Sequence, residues 1–206
     1  MIKNYITETT DLQRLVPELA NDTYLWSGQT NHSGQGIEAF NYVRQDLINK
    51  GYNLRQLMTP LELSTTSAED TINRLRWVVT CTVTGTVILY GSEDGTTWNT
   101  IQTETLSATG TTSYIITQSY LYYKIGGTAT FTSELVDTTF DGLIKYKWIE
   151  FIFINAGKGT DNRYTEYALY FSKMYDDLLN KMKVPTDTDE DGEIDTTKSS
   201  VIDRTN

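Results

Sequence analysis

The chain has 206 residues with 17 Lys and Arg against 27 Asp and Glu, a formal net charge of −10, and it holds one His, one Cys and three Pro. That length allows one domain or two small ones with a buried core, and a single cysteine, Cys81, suits a reducing compartment or an intracellularly assembled particle. One His and one Cys fall short of the usual four-ligand zinc set, and the acidity argues against nucleic acid held by phosphate contacts. The start, Met1-Ile2-Lys3-Asn4-Tyr5, lacks a secretory pattern, and Trp148 to Ile154, the longest apolar run, is broken by Glu150, so a soluble chain with no membrane partner is expected.

Taken in chain order, Thr10 or Asp11 can cap a short helix over Leu12 to Leu19 that Pro17 kinks or restarts. His32 lies in a Gly/Asn/Gln-rich loop, where a lone imidazole is expected to be solvated rather than catalytic. Ile37, Phe40, Val43 and Leu47 recur at helical spacing, predicting a helix from Ile37 to Lys50 with Gly51 as its C′ residue. A further turn, Tyr52 to Met58, stops before Pro60.

Composition then changes to Ser, Thr and short β-branched or aromatic runs between Gly turns. Six strands are predicted, over 75–80, 86–90, 98–102, 113–117, 120–125 and 129–132, in a small antiparallel β-sandwich. Helical spacing returns with Phe140, Ile144, Trp148, Phe151 and Ile152, although Trp148 to Ile154 alone reads equally as a buried strand. After a loop over 155–160, the aromatic stripe of Tyr164, Tyr167, Ala168, Phe171, Met174, Tyr175, Leu178, Leu179 and Met182 predicts a long amphipathic helix. The expected class is α+β: a helical domain over 1–70 and 137–183, a β-sandwich inserted at 71–136, and an acidic tail over 184–206. That tail carries two basic and seven acidic residues, half of the net charge, and is expected to order only on docking.

Two motifs suggest chemistry. Asp187, Asp189, Asp191, Glu193 and Asp195, with Gly192 and Ile194, match the first nine positions of an EF-hand-type calcium loop, so Ca2+ is the one cofactor considered. Position twelve is Lys198 where a bidentate Glu is required, and the competing reading is an acidic tail for a basic partner. The second motif, Tyr90-Gly91-Ser92-Glu93-Asp94-Gly95-Thr96-Thr97-Trp98, resembles the Gly-Ser-x-Asp-Gly-x-x-Trp hairpin of discoidin-like and carbohydrate-binding sandwiches. That resemblance makes Trp98 and Tyr122 candidates to stack on a sugar. Asp176-Asp177 and Glu69-Asp70 are adjacent in sequence and point apart on a helix, and Gly157-Lys158-Gly159-Thr160 lacks the spacing of a phosphate loop. No catalytic residue is assigned, and an enzyme is not expected.

The flanks resemble a tailed-bacteriophage head-tail connector, the portal-docking adaptor. The resemblance rests on the short helices Asp11 to Leu19 and Ile37 to Lys50, the helix from Thr139 to Ile152, and the Tyr-rich helix leading into Asp187-x-Asp189-x-Asp191-Gly192, covering roughly 1–62 and 136–200. The β insert departs from the minimal all-helical adaptor. What the resemblance implies is a structural virion protein assembled in the host cytoplasm, a homo-oligomeric ring of about twelve copies at the neck between capsid and tail. Its partners would be the portal protein and a stopper or tail-tube protein, with DNA passing through without specific binding. Tyr164, Tyr167, Phe171, Tyr175, Val201 and Ile202 are the candidate subunit or portal contacts. The alternative is a sugar-binding β-sandwich module on a helical scaffold.

Overall fold

A computed structural model describes residues 6, 11–20, 24, 30–52, 54, 59–70, 74–156, 162–186 and 196–199. The class is α+β, and the chain divides into two compact units. One comprises 4–54 together with 139–206, and the other 55–138 preceded by the first three residues.

In the helical unit a 3-10 turn, Pro17–Ala20, precedes α1 (Ser33–Asn49), and α2 (Asp141–Ala156) and α3 (Asn162–Lys181) follow the sandwich in sequence. The start of α1 lies four residues before the expected Ile37. Its end agrees with the reading, because Gly51 takes the positive φ of 79° that stops a helix cleanly. The buried face of α1 differs from the expected one: Gly36, Ala39, Val43 and Leu47 point inward while Ile37 is 63% exposed. The cause is Trp148 of α2, whose indole lies where a Cβ on Gly36 would stand, 2.5 Å from the ring. The Trp148 Nε1–H donates to the His32 carbonyl at 2.9 Å, which fixes the ring over the first turn of α1.

α2 is a helix throughout, which settles the ambiguity at Trp148 to Ile154. Leu143, Ile144, Trp148, Ile149, Ile152 and Phe153 are all buried, on more than one face, because the helix packs against both α1 and α3. Gly142 lets α3 approach closely, since a Cβ there would meet the Leu178 side chain at 2.7 Å. In α3 the buried residues Ala168, Phe171, Tyr175 and Leu179 recur at helical spacing. Among the described residues that follow, β9 (Lys183–Thr186) and β10 (Thr196–Ser199) pair antiparallel, with Thr186 opposite Thr196.

Among its described residues the sandwich unit has eight strands where six were expected: β1 (Leu61–Leu63), β2 (Ala68–Glu69), β3 (Arg76–Val83), β4 (Gly85–Ser92), β5 (Asn99–Leu106), β6 (Gly110–Ile115), β7 (Tyr122–Gly127) and β8 (Thr130–Val136). β1 and β2 are too short to show an alternating pattern in sequence. The strands form two four-stranded antiparallel sheets, in the orders β1-β8-β3-β6 and β2-β7-β4-β5. Trp77, Val79, Cys81 and Leu135 of the first sheet meet Val87, Leu89, Tyr123 and Ile125 of the second in one core. Trp77 is fully buried and its indole N–H donates to Ser133 Oγ at 2.6 Å, so neither its ring nor its polar atom is left unsatisfied. Before β3, Asp70 and Arg74 form a buried ion pair whose guanidinium also reaches the Thr59 carbonyl at 3.1 Å.

A Gly-to-Ala replacement inside a helix normally stabilises by up to about 1 kcal/mol. Open space surrounds the Cβ position of Gly34, so Gly34→Ala should raise the melting temperature slightly. Gly36→Ala should lower it, at a cost of about 1–3 kcal/mol for displacing Trp148. Thermal unfolding of the two variants beside the wild type checks the opposite signs, and equal shifts would refute the Trp148 contact.

Candidate functional site

The residues singled out in sequence fall into three places. Asp187, Asp189, Asp191, Glu193 and Asp195 lie outside the described residues, as do Val201 and Ile202. Lys198, at loop position twelve, stands in strand β10 opposite Val184, so strands flank the acidic segment where an EF-hand has helices. Among the described residues no group of three or more His, Cys, Asp or Glu could hold a metal ion.

On α3 the candidate contact residues separate by burial. Phe171 and Tyr175, at 7% and 2% exposure, belong to the helical core and offer no ring to a partner. Tyr164 is half-buried and stacks with Phe153, which also stacks with Tyr167 and Phe171. Tyr167 keeps 52% of its surface exposed, with Tyr170 at 57% one turn along the same side, while Leu169, at 65%, projects from the opposite side of the helix. Arg163, Glu166, Tyr167 and Tyr170 line a groove on this surface. Leu169 and Tyr170 lie outside the stripe that periodicity picks out. The signal that could have found them is an excess of large apolar residues over what one buried stripe needs.

Beneath that surface the helices are tied by a buried polar cluster. Lys147 of α2 is buried, and its ammonium lies 2.7 Å from Glu150 Oε2 and between the rings of Tyr42 and Tyr175, 4.4 Å and 4.2 Å from their centroids. The Tyr175 hydroxyl donates to Asp46 Oδ2 of α1 at 2.6 Å. Burial first, and this bond to a carboxylate second, push the Tyr175 hydroxyl far above its ordinary value of 10.0. His32, expected to be solvated, is fully buried with Nε2 3.2 Å from the Tyr24 carbonyl oxygen, because the neighbouring helix N-terminus is drawn under Trp148.

In the sandwich unit the Ser92–Trp98 hairpin is shaped by one carboxylate. Asp94 Oδ1 accepts from the amides of Thr96 and Thr97 at 2.8 and 2.7 Å and from Ser92 Oγ at 2.9 Å. The Thr97 and Thr96 amides, with the Ser92 hydroxyl, hold its pKa well below the usual carboxylate range. Gly95 supplies the positive φ of 71° that the turn requires. Trp98 and Tyr122 are both half-buried. Lys124 Nζ sits 4.0 Å from the centre of the Trp98 ring, and Tyr122 lies against the Gly95 turn. One face of Trp98 is therefore taken by a cation from its own sheet, which leaves less of the flat aromatic surface a sugar ring would need.

Comparison with protein-family models, with curated proteins and with solved structures returned no match.

The raised Tyr175 pKa fixes the sign of a pH effect. A hydroxyl whose folded-state pKa lies above its unfolded one contributes fully below about pH 10, and that contribution is lost as pH rises further. Tyr175→Phe should cost about 1.5–3 kcal/mol at pH 7, the range for a hydrogen bond to a charged group. It should also make the alkaline fall in stability shallower, because one of the hydroxyls that must ionise has gone. Urea unfolding at pH 7 and pH 10.5 checks both, and an unchanged alkaline limb would place the burden on other tyrosines.

Proposed function

We propose that this chain is a structural virion protein, a head-tail connector that forms a ring under the portal, completes the head and carries the platform for tail attachment and DNA passage. The observation that carries the reading is the aromatic surface on α3, where Tyr167 and Tyr170, one turn apart, stand exposed on a helix whose other face already supplies the core. Large apolar side chains grouped on a polar chain mark a surface that another protein covers. A ring needs a heterologous contact of this kind, with each copy presenting one surface to a different surface of the next. The charge fits the same role, because a chain of net −10 repels phosphate and lets a duplex slide past.

Sugar binding by Trp98 and Tyr122 is the second reading, and the position of Lys124 over Trp98 weakens it. The two readings separate by stoichiometry.

Quantitative peptide mass spectrometry of purified phage particles should give this chain and the portal protein in a ratio near one. Absence, or a ratio far from one, would discard the connector and leave glycan binding by the sandwich as the reading to test. A Tyr170→Asp variant should fold with unchanged helix content, since the side chain is exposed, and should fail to enter particles. Truncation of an anchoring side chain at a contact costs about 2 kcal/mol or more, and a charge left there costs further.

A further inference from the structure

The two sheets end in four edges, and three of them are guarded. β1 and β2 are only three and two residues long, and the β4–β5 pairing shifts register between Leu89 and Tyr90. Short strands, bulges, charges and prolines are the usual means by which an edge avoids further pairing. β6 has none of these. Its six residues, Gly-Thr-Thr-Ser-Tyr-Ile, carry no charge and no proline, pair with β3 without a register shift from Ile115 to Gly110, and are almost wholly exposed.

The direction of its free groups follows from one bond. The Ile116 amide donates to the Leu75 carbonyl at 2.8 Å, so in the antiparallel ladder Tyr114 and Thr112 also turn their backbone groups toward β3. Thr111, Ser113 and Ile115 therefore turn their N–H and C=O groups outward, to the side on which the sheet has no further strand among the described residues.

We infer that β6 is a self-association edge, on which a second copy of this chain adds its own β6 antiparallel about a two-fold axis through Ser113. The strand is complementary to a copy of itself, because its outward groups at Thr111, Ser113 and Ile115 are symmetric about Ser113 and it carries no charge to oppose a like strand. An axis between two residues would set a core-facing side chain opposite an outward-facing one, which a continuous sheet forbids. An axis at Thr112 or Tyr114 pushes Ile115 or Thr111 beyond the end of the partner strand. With the axis at Ser113, Thr111 faces the partner's Ile115, Thr112 faces its Tyr114, and Ser113 faces its own counterpart. Every outward N–H and C=O then finds a partner on the other copy. Ile115, 58% exposed in the single chain, gains cover from the partner's Thr111. Charge does not oppose the contact, because residues 73–135 hold three basic and four acidic side chains and the bulk of the −10 lies elsewhere in the chain.

The test uses the full chain and a charge swap at the axis. Sedimentation velocity over a concentration series should show wild-type dimers. Ser113→Lys and Ser113→Glu, each at an exposed position, should associate at least about fivefold more weakly alone because like charges then face one another, and an equimolar mixture of the two should recover dimers. Mild oxidation should link Ser113→Cys into a disulfide dimer. Ile115→Cys should stay unlinked, because its counterpart lies far along the strand on the other side of the axis, and buried Cys81 provides the unlinked background. A wild type that is monomeric throughout, an assembly of any size that Ser113→Lys leaves intact, or equal linking of the two cysteine variants would overturn the inference. Pairing of β6 only with a strand from another protein would overturn it as well.

Discussion

The helical unit depends on one indole. Trp148 reaches across 116 positions of sequence to the His32 carbonyl, and it thereby joins the part of the unit that precedes the sandwich to the part that follows it. A contact this distant has a high loop-closure cost, which grows only slowly with length once it has been met. The local chemistry makes it strong: a glycine at 36 removes the side chain that would stand in the ring's place, and the indole N–H is satisfied by the carbonyl preceding α1. Tyr175 and Asp46 repeat the tie at the next layer between α3 and α1, and Lys147 fills the space between the Tyr42 and Tyr175 rings with a paired cation. The polar cluster is compensated within itself, with Lys147 facing Glu150 and two tyrosine rings and Asp46 accepting from Tyr175.

That dependence also explains which parts of the unit were legible in sequence. α3 shows its pattern within twenty residues, so its limits and the buried Ala168, Phe171, Tyr175 and Leu179 could be read from spacing alone, whereas Tyr167, placed on the same stripe, is exposed. α1 was readable as a helix and misread as to its face, because the choice between Ile37 and Gly36 is made by a tryptophan in another helix. Burial of His32 has the same origin and no local signature. In the sandwich the long strands announce themselves through β-branched alternation, whereas β1 and β2 arise only because longer neighbours offer them a ladder. Of the candidate contacts, the spacing rule selected Phe171 and Tyr175, and those are the residues that burial withdraws from any partner. Tyr167, which the stripe includes, and Tyr170, which falls off it, carry the exposed groove instead.

The Asp94 hairpin illustrates how a resemblance can hold at the level of shape while its chemistry is redirected. Asp94 organises the turn through the Thr96 and Thr97 amides, and Trp98 emerges at its end. In this chain a lysine from β7 occupies the ring, and Tyr90 lies on the same side, 5.7 Å from that ammonium at its centroid. A cation held over the ring in this way ties β7 to the end of the hairpin.

The exposed surface on α3 and the free edge of β6 impose different symmetries. A ring needs a contact in which one surface meets another, repeated until it closes, whereas a strand pairing with its own copy produces a two-fold axis and stops at two. On the proposed connector reading, a two-fold axis relating two rings would make their outer faces equivalent. A neck between capsid and tail needs those faces to differ. If both proposals hold, the β6 pairing belongs to the free protein, where an uncharged strand is the surface on which copies of an acidic chain can meet. Mounting the chain in a ring would then have to release β6, and the small, mostly polar overlap of that strand is suited to being released.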